Sequence, residues 1–354
     1  MPIINKNKAK YVQRFLLKWY EKNKRDLPWR NIKVNNRTNA YYVLVSEFML
    51  QQTTVNTVIK RFNEFIKLWP SIDKLSRISE SRILRFWSGL GYYNRATNLL
   101  KTVKIISRDF KSKVPQHYDQ LIELPGVGDY TTKAILGIAY NQPVLPLDTN
   151  IKRIIARLYG MKTLLRLNKK TIEDIATKYQ SPNKAGDLIQ SFMDYGSAIC
   201  LPRNPKCDEC LIEKFCEARK KNIQHLIPFK NLSLEKKKIK FTRAYIVANN
   251  RNEILVNRRK SSGMLASMLE VPNDQWVNKK KLLERNAIYE KVGKKFKFEG
   301  VFKYSFSHFD LDISIYKTVV KKKIFKDHKW MKTNRIHVSG MPTMMKQVIK
   351  RVVN

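Results

Sequence analysis

The sequence predicts an all-α domain followed by an α+β domain, on three observations. From about residue 8 to 220 apolar residues recur at three- and four-residue spacing, as in Tyr11, Phe15, Leu16 and Trp19 and again in Ile151, Ile154, Ile155 and Leu158, which marks consecutive amphipathic helices. A lysine-rich stretch without glycine, residues 230–240, then follows Pro228 and reads as a solvated linker. Beyond it the period falls to two. Residues 244–248 and 253–257 flank Asn249-Asn-Arg-Asn252, a hairpin signature, and Phe309, Leu311, Ile313 and Ile315 alternate with polar neighbours. The expected divisions are a helical domain over 1–226, a basic linker over 227–240, and a second domain over 241–354 with a mixed or antiparallel sheet. No internal repeat is apparent.

The composition agrees with two globular domains. The chain has 354 residues, 43% of them hydrophobic, with six Trp and sixteen each of Tyr and Phe, enough to build real cores. Seventy Lys and Arg against 29 Asp and Glu give a formal charge of +41, a field that draws in polyanions. The chain is also rich in Asn and Ile, and a general drift toward Lys, Asn and Ile raises the charge without selection for binding. The charge therefore permits nucleic-acid binding without diagnosing it. The N-terminal MPIINKNKAKYVQRF has no apolar signal core, and no apolar run reaches the length of a membrane span. A soluble, cytoplasmic, nucleoid-associated monomer with no membrane partner is expected.

Four cysteines, Cys200, Cys207, Cys210 and Cys216, fall within seventeen residues, and the chain has no others. Four thiolates at gaps of six, two and five residues suit a tetrahedral Zn²⁺ or an iron-sulfur cluster, and the ligand set alone does not choose between them. Disulfides are disfavoured in a long basic chain without a secretion signal.

Leu124-Pro-Gly-Val-Gly-Asp-Tyr-Thr-Thr132 sits between two amphipathic stretches. Gly126 and Gly128 permit a tight hairpin whose exposed N–H groups, with the positive end of the next helix, suit a phosphate. Taken alone, such a turn equally serves as an ordinary helix–helix connection. Twenty residues after Gly128 comes Asp148, directly before a strongly periodic helix, where the ordinary role of an Asp is an N-cap. Glu47 lies in Tyr41-Tyr-Val-Leu-Val-Ser-Glu-Phe-Met-Leu-Gln-Gln-Thr53, where nearly every neighbour is apolar. Desolvation there raises a carboxyl pKa and keeps it protonated at neutral pH, as a general acid requires; the competing reading is a surface Glu on an amphipathic helix. One protonated and one ionised carboxyl are what cleavage of a glycosidic bond through an oxocarbenium-like state needs.

Seven strings carry a resemblance. They are Leu27-Pro-Trp-Arg30, Ser46-Glu-Phe-Met-Leu-Gln-Gln-Thr53, Trp87-Ser-Gly-Leu-Gly-Tyr-Tyr93, Leu124-Pro-Gly-Val-Gly128, Leu147-Asp-Thr-Asn150, the cysteine loop and Phe306-Ser-His308. Over nearly its whole length the chain resembles the MutY-type adenine DNA glycosylases of the endonuclease III, or helix-hairpin-helix, superfamily. The resemblance implies a helix-hairpin-helix glycosylase domain with an iron-sulfur loop, then a Nudix-like domain. It implies one [4Fe-4S] cluster on the four cysteines and, as partner, double-stranded DNA bearing an 8-oxoguanine·A or G·A mispair. Glu47 matches the acid that protonates N7 of the flipped adenine, and Asp148 the carboxylate that stabilises the sugar cation. Tyr130 and Asn150 match their supports. Arg25, Leu27, Trp29 and Arg30 fall where the family has its adenine pocket. Gln52, Thr53, Leu90 and Tyr92 resemble residues that enter or flank the base stack, although Tyr92 out of context reads as a core aromatic. Gly126, Gly128 and Lys152 fall at DNA-binding positions, and Phe306, Ser307 and His308 where the family senses 8-oxoguanine.

Position 130 bears on the reaction. Bifunctional relatives carry a Schiff-base lysine there, whereas a phenol forms no imine, so a monofunctional enzyme is expected; Lys133 is the nearby amine to watch. Residues 281–290 lack the clustered glutamates that hold Mg²⁺ on a pyrophosphate, which argues against nucleotide hydrolysis. Ala40, Leu44, the long 31–37 loop and residues 263–272 depart from the family pattern and affect fine geometry. Two alternatives stand beside adenine excision: an endonuclease III-like glycosylase and lyase on oxidised pyrimidines, and a non-catalytic iron-sulfur DNA-binding protein. Tyr130 speaks against the first, and the presence of both carboxylates against the second. Arg203, Lys206 and Lys214 suit a cluster loop that presents positive charge to phosphate.

Overall fold

Nine successive residues from Tyr41 to Met49 are buried in helix α3 (Ala40–Leu50), so this segment has no solvent face. Asn39 starts it, its side-chain oxygen accepting from the Tyr41 N–H at 2.9 Å. The computed structural model describes residues 6–31, 33–34, 37–162, 169–228, 237–260, 263–306, 308–321, 325, 328–337 and 339–353. The other helices of this part of the chain are, in order, α1 (Lys6–Asn23), α2 (Pro28–Asn31), α4 (Val55–Leu68), α5 (Ile72–Ser76), α6 (Glu80–Phe86), α7 (Asn94–Asp109), α8 (Tyr118–Ile122), α9 (Asp129–Tyr140), α10 (Thr149–Leu158), α11 (Lys169–Ala176), α12 (Ala185–Ala198) and α13 (Glu217–Lys220). The one departure from the expected all-α pattern is a two-stranded ribbon, β1 (Lys33–Val34) with β2 (Arg37–Thr38), inside the long loop before α3.

The chain divides into two compact units, residues 1–77 with 101–233, and residues 78–100 with 234–354. In the first, α12 packs against α1, α9 and α10. Gly137 and Gly186 allow the α9–α12 approach. A Cβ on Gly137 would stand 2.1 Å from Ile189 Cδ1, and one on Gly186 would stand 3.1 Å from the Gly137 carbonyl oxygen. The core runs from Val12 and Leu16 through Ile151, Ile154 and Ile155 to Phe192 and Tyr195, and includes Ile212, Ala218 and Ile227. No helix among the described residues is long and apolar enough to cross a membrane.

The second unit contains β3 (Lys238–Ala248), β4 (Glu253–Arg258), β5 (Leu269–Glu270), β6 (Lys297–Ser305), β7 (Phe309–Val319) and β8 (His328–Lys332), with helices α14 (Ile288–Lys291) and α15 (Thr343–Lys350). The sheet is mixed, in the order β5-β4-β3-β7-β6, with β8 also paired to β4. The hairpin expected around 249–252 joins antiparallel β3 and β4, while β3 and β7 run parallel from Lys238 opposite Phe309 to Ala248 opposite Val319. Alternation along β7 puts Phe309, Leu311, Ile313 and Ile315 on one face, under Met344, Met345, Val348 and Ile349 of α15. The opposite face, with Tyr245, Val247 and Leu255, is covered by Ile288 and Val292. The linker expected over 227–240 is shorter: Ile227 is a core residue of the first unit and β3 starts at Lys238. Its lysines mislead because the outer end of β3 is itself solvated: Lys238 and Ile239 are both exposed. Residues 78–100 group with the second unit, which the 1–226 division did not anticipate.

Candidate active site

Glu47 points its carboxyl into the first unit, where the residue is only 7% exposed. Burial is the main reason its pKa rises to about 7. Asp148 adds to the rise, whereas a hydrogen bond with Tyr130 and the charge of Arg30 oppose it. The surface-helix reading of Glu47 does not hold. The Tyr130 hydroxyl is held well above its usual phenol range by burial first and by Glu47 and Asp148 next, so it stays protonated.

Asp148 is the N-cap of α10, its Oδ1 accepting from the Ile151 N–H at 2.6 Å. Its Oδ2 accepts from Asn150 Nδ2 at 3.0 Å. Burial raises its pKa too, but the Ile151 N–H, the Asn150 amide and the charge of Arg153 all favour the ionised form. Arg153, itself buried, donates to Asn150 Oδ1 at 2.9 Å, to the Gly196 carbonyl at 2.7 Å and to the Cys200 carbonyl at 2.8 Å. Glycine at 196 makes room for this arrangement, since a Cβ there would lie 2.6 Å from Asn150 Cβ. Gly196→Ala is therefore expected to push Asn150 off Asp148. Stability should fall by about 1–3 kcal/mol, which thermal unfolding would check.

Both carboxylates border one cavity of about 690 Å³, a size typical of small-molecule sites. Arg25, Leu27, Trp29, Arg30, Gln52, Thr53, Tyr130, Asn150 and Lys152 border it as well. Trp29 is buried against Phe62, with ring centroids 5.4 Å apart. Gln52 is exposed and has a left-handed backbone, φ 55°, just past the end of α3. Lys133 does not border the cavity and is paired with Asp129 at 2.7 Å.

Sequence reasoning missed two residues here. Asp194, 1% exposed, takes Arg25 Nε at 2.7 Å and both terminal nitrogens of Arg30 at 2.7 and 3.0 Å, fixing two pocket arginines from behind. These contacts hold its pKa below the usual range although burial opposes them. Gln190 borders the cavity with a buried side-chain carbonyl oxygen that has no hydrogen-bond partner among the described residues. Both lie in α12 among apolar neighbours, the signal that singled out Glu47.

The other expected residues lie elsewhere. Gly126, with φ 79°, and Gly128, the N-cap of α9, form the hairpin. Leu90 is buried, while Tyr92 is 44% exposed and left-handed, φ 44°, so it is no core aromatic. In the second unit Phe306 packs on Trp276, Tyr304 and Phe309, and His308 is exposed between β6 and β7. Ser307 lies outside the described residues. The four cysteines border a common cavity with Arg157, Arg219 and Gln224. Arg157 Nη1 donates to Cys200 Sγ at 3.2 Å and the Tyr195 hydroxyl to Cys210 Sγ at 3.3 Å. Arg203, Lys206 and Lys214 are exposed beside them.

A hairpin-bearing helical unit with a buried carboxyl, Glu47, and a half-buried one, Asp148, on one cavity, joined to a mixed-sheet unit, defines a base-excision glycosylase with a Nudix-like domain. The family model described as HhH-GPD superfamily base excision DNA repair protein matches residues 45–181, and a NUDIX domain model matches residues 243–351. The adenine DNA glycosylase of Buchnera aphidicola subsp. Baizongia pistaciae is 34% identical over 95% of each chain. The chain belongs to the adenine DNA glycosylase family. Among solved structures it is similar to a thermostable thymine-DNA glycosylase, at 27% identity and TM-score 0.55, covering 61% of this chain and 98% of that one. Endonuclease III in a non-covalent DNA complex shares the fold, at 19% identity and TM-score 0.52, covering 63% of this chain and all of that one.

Proposed function

We propose that this glycosylase excises adenine paired with 8-oxoguanine, and with guanine, from duplex DNA, and leaves the abasic strand uncut. The observation that carries the reading is the meeting, on one cavity, of a carboxyl that titrates near neutrality with a second, Asp148, whose pKa burial also raises while the Ile151 N–H, Asn150 and Arg153 oppose the rise. An adenine flipped into this cavity takes a proton from Glu47 at N7. The glycosidic electron pair then leaves with the base, as neutral adenine. Asp148 stabilises the sugar cation through its charge or by a transient bond to the anomeric carbon, and water completes the hydrolysis. Tyr130 holds the Glu47 carboxyl, and Asn150 holds Asp148. The unpartnered oxygen of Gln190 suits the exocyclic amine of adenine, a donor that guanine lacks at that position.

The partner strand is read by Phe306, Ser307 and His308 and by the loop that carries Leu90 and Tyr92. His308 is exposed, as a hydrogen-bonding probe needs to be, and Phe306 is held against Trp276 and Phe309. Cys200, Cys207, Cys210 and Cys216 would hold one [4Fe-4S] cluster. No three metal-ligating side chains among the described residues gather tightly enough for a single ion, yet all four sulfurs border one cavity, and Arg157 and Tyr195 donate to two of them as partners of a thiolate would. The group would staple the loop that offers Arg203, Lys206 and Lys214 to phosphate.

Single-turnover release from a duplex with one 8-oxoguanine·A pair, run with and without alkali, tests the reading. Strand breaks are expected only after alkali. Breaks without alkali, or borohydride trapping through Lys152 on the cavity wall, would restore the lyase alternative. No release at any enzyme excess would leave a binding protein.

A further inference from the structure

The stack-entering loop 88–92 is built on the second unit, within the group formed by residues 78–100 and 234–354. Its backbone has little freedom. Gly89, Gly91 and Tyr92 all have positive φ, and buried Arg95 donates to the carbonyls of Leu90 at 2.9 Å, Gly91 at 3.1 Å and Tyr92 at 3.3 Å. A loop held this way moves as a body, so whatever fixes one residue of it fixes Tyr92. The residue so fixed is Ser88. Lys346 Nζ donates to Ser88 Oγ at 2.7 Å and to the His337 carbonyl at 2.8 Å. Lys346 belongs to α15, whose Met344, Met345, Val348 and Ile349 share one core with Phe309, and Phe306 packs against that core. Gly340, just before α15, lies against α6: a Cβ there would be 3.8 Å from the Arg85 nitrogen and 3.9 Å from Leu84 Cβ. A continuous chain of packed groups and hydrogen bonds thus runs from Phe306 to loop 88–92.

We propose that Lys346 is a specificity-determining positioning residue, which couples the reading of the base opposite adenine by Phe306 and His308 to the placement of Tyr92. The proposal rests on the role given to those two residues above. An ammonium suits the task because it bridges a side-chain hydroxyl and a carbonyl at once. In energy terms, the link makes the arrangement of loop 88–92 depend on what Phe306 and His308 contact.

The test compares single-turnover adenine release opposite 8-oxoguanine and opposite guanine in the full-length protein. Lys346→Met keeps the aliphatic stem and removes both donations, and Ser88→Ala removes the other end without touching α15. Each is expected to reduce the 8-oxoguanine preference about tenfold, within the usual range of coupling between sites. The double variant should lose no more than either single one, Lys346→Arg should recover most of the preference, and His308→Ala should combine non-additively with Lys346→Met. A parent that discriminates while both single variants match it would overturn the coupling alone. A parent with no preference would overturn the role given to Phe306 and His308, and the coupling with it.

Discussion

Glu47→Gln is expected to reduce adenine release about a hundred- to ten-thousandfold, the usual worth of a general acid, while affinity for a mispaired duplex stays near that of the parent. The amide keeps the shape and the contact with Tyr130 but has no proton to give. In the parent, release should fall as pH rises through about 7, since only the protonated carboxyl acts and burial places its pKa there. The same shift fixes the sign of a stability effect. The folded pKa lies above the ordinary value of 4.5, so the folded chain holds this proton more tightly than the unfolded chain. Ionisation therefore costs stability progressively from pH 4.5 to about 7, and the full cost persists above that. Relative to the parent, Glu47→Gln should gain stability over this range, by up to about 3 kcal/mol above pH 7. Denaturant unfolding at pH 5 and pH 8, beside single-turnover kinetics, checks both parts. A variant as active as the parent would remove Glu47 from the chemistry.

Asp148→Asn should separate cap from catalyst. Asn ranks with Asp at an N-cap, so the hydrogen bond to the Ile151 N–H survives and stability should change by less than about 1 kcal/mol. The charge facing the sugar is lost, and release should fall about a hundred- to thousandfold or more, as when a preorganised group aimed at transition-state charge is removed. Asp148→Ala should lose the cap as well, with a further drop in melting temperature. If Asp148→Asn retained full release, Asp148 would be a cap only.

The contrast between these carboxylates shows how far sequence carries. Glu47 stands out because its neighbours are apolar, and the same test applied to α12 finds Asp194. It went unread because a single Asp in a helix has many bland explanations until two arginines from distant residues converge on it. Arg153 and Gly196 were illegible for the same reason. Their roles exist only where α10 and α12 cross, and a glycine in a helix gives no sign that an Asn will press against it. The linker was misread because lysines dominate both solvated coil and the outer end of a strand.

Local chemistry along the chain was enough to determine the two-part architecture, the hairpin, the β3–β4 turn, the N-cap at Asp148 and the cluster of thiols. Each depends on residues close in sequence: side-chain period, cap chemistry, and glycine at positive φ. Tertiary structure alone decided that Glu47 and Asp148 share one cavity, that Asp194 anchors Arg25 and Arg30, and that Lys346 reaches Ser88. Those contacts join residues scores to hundreds of positions apart, and burial and charge there depend on which elements close over the site. A carboxyl's pKa is set by that enclosure, so the rise at Glu47 to about 7 follows only from the folded chain.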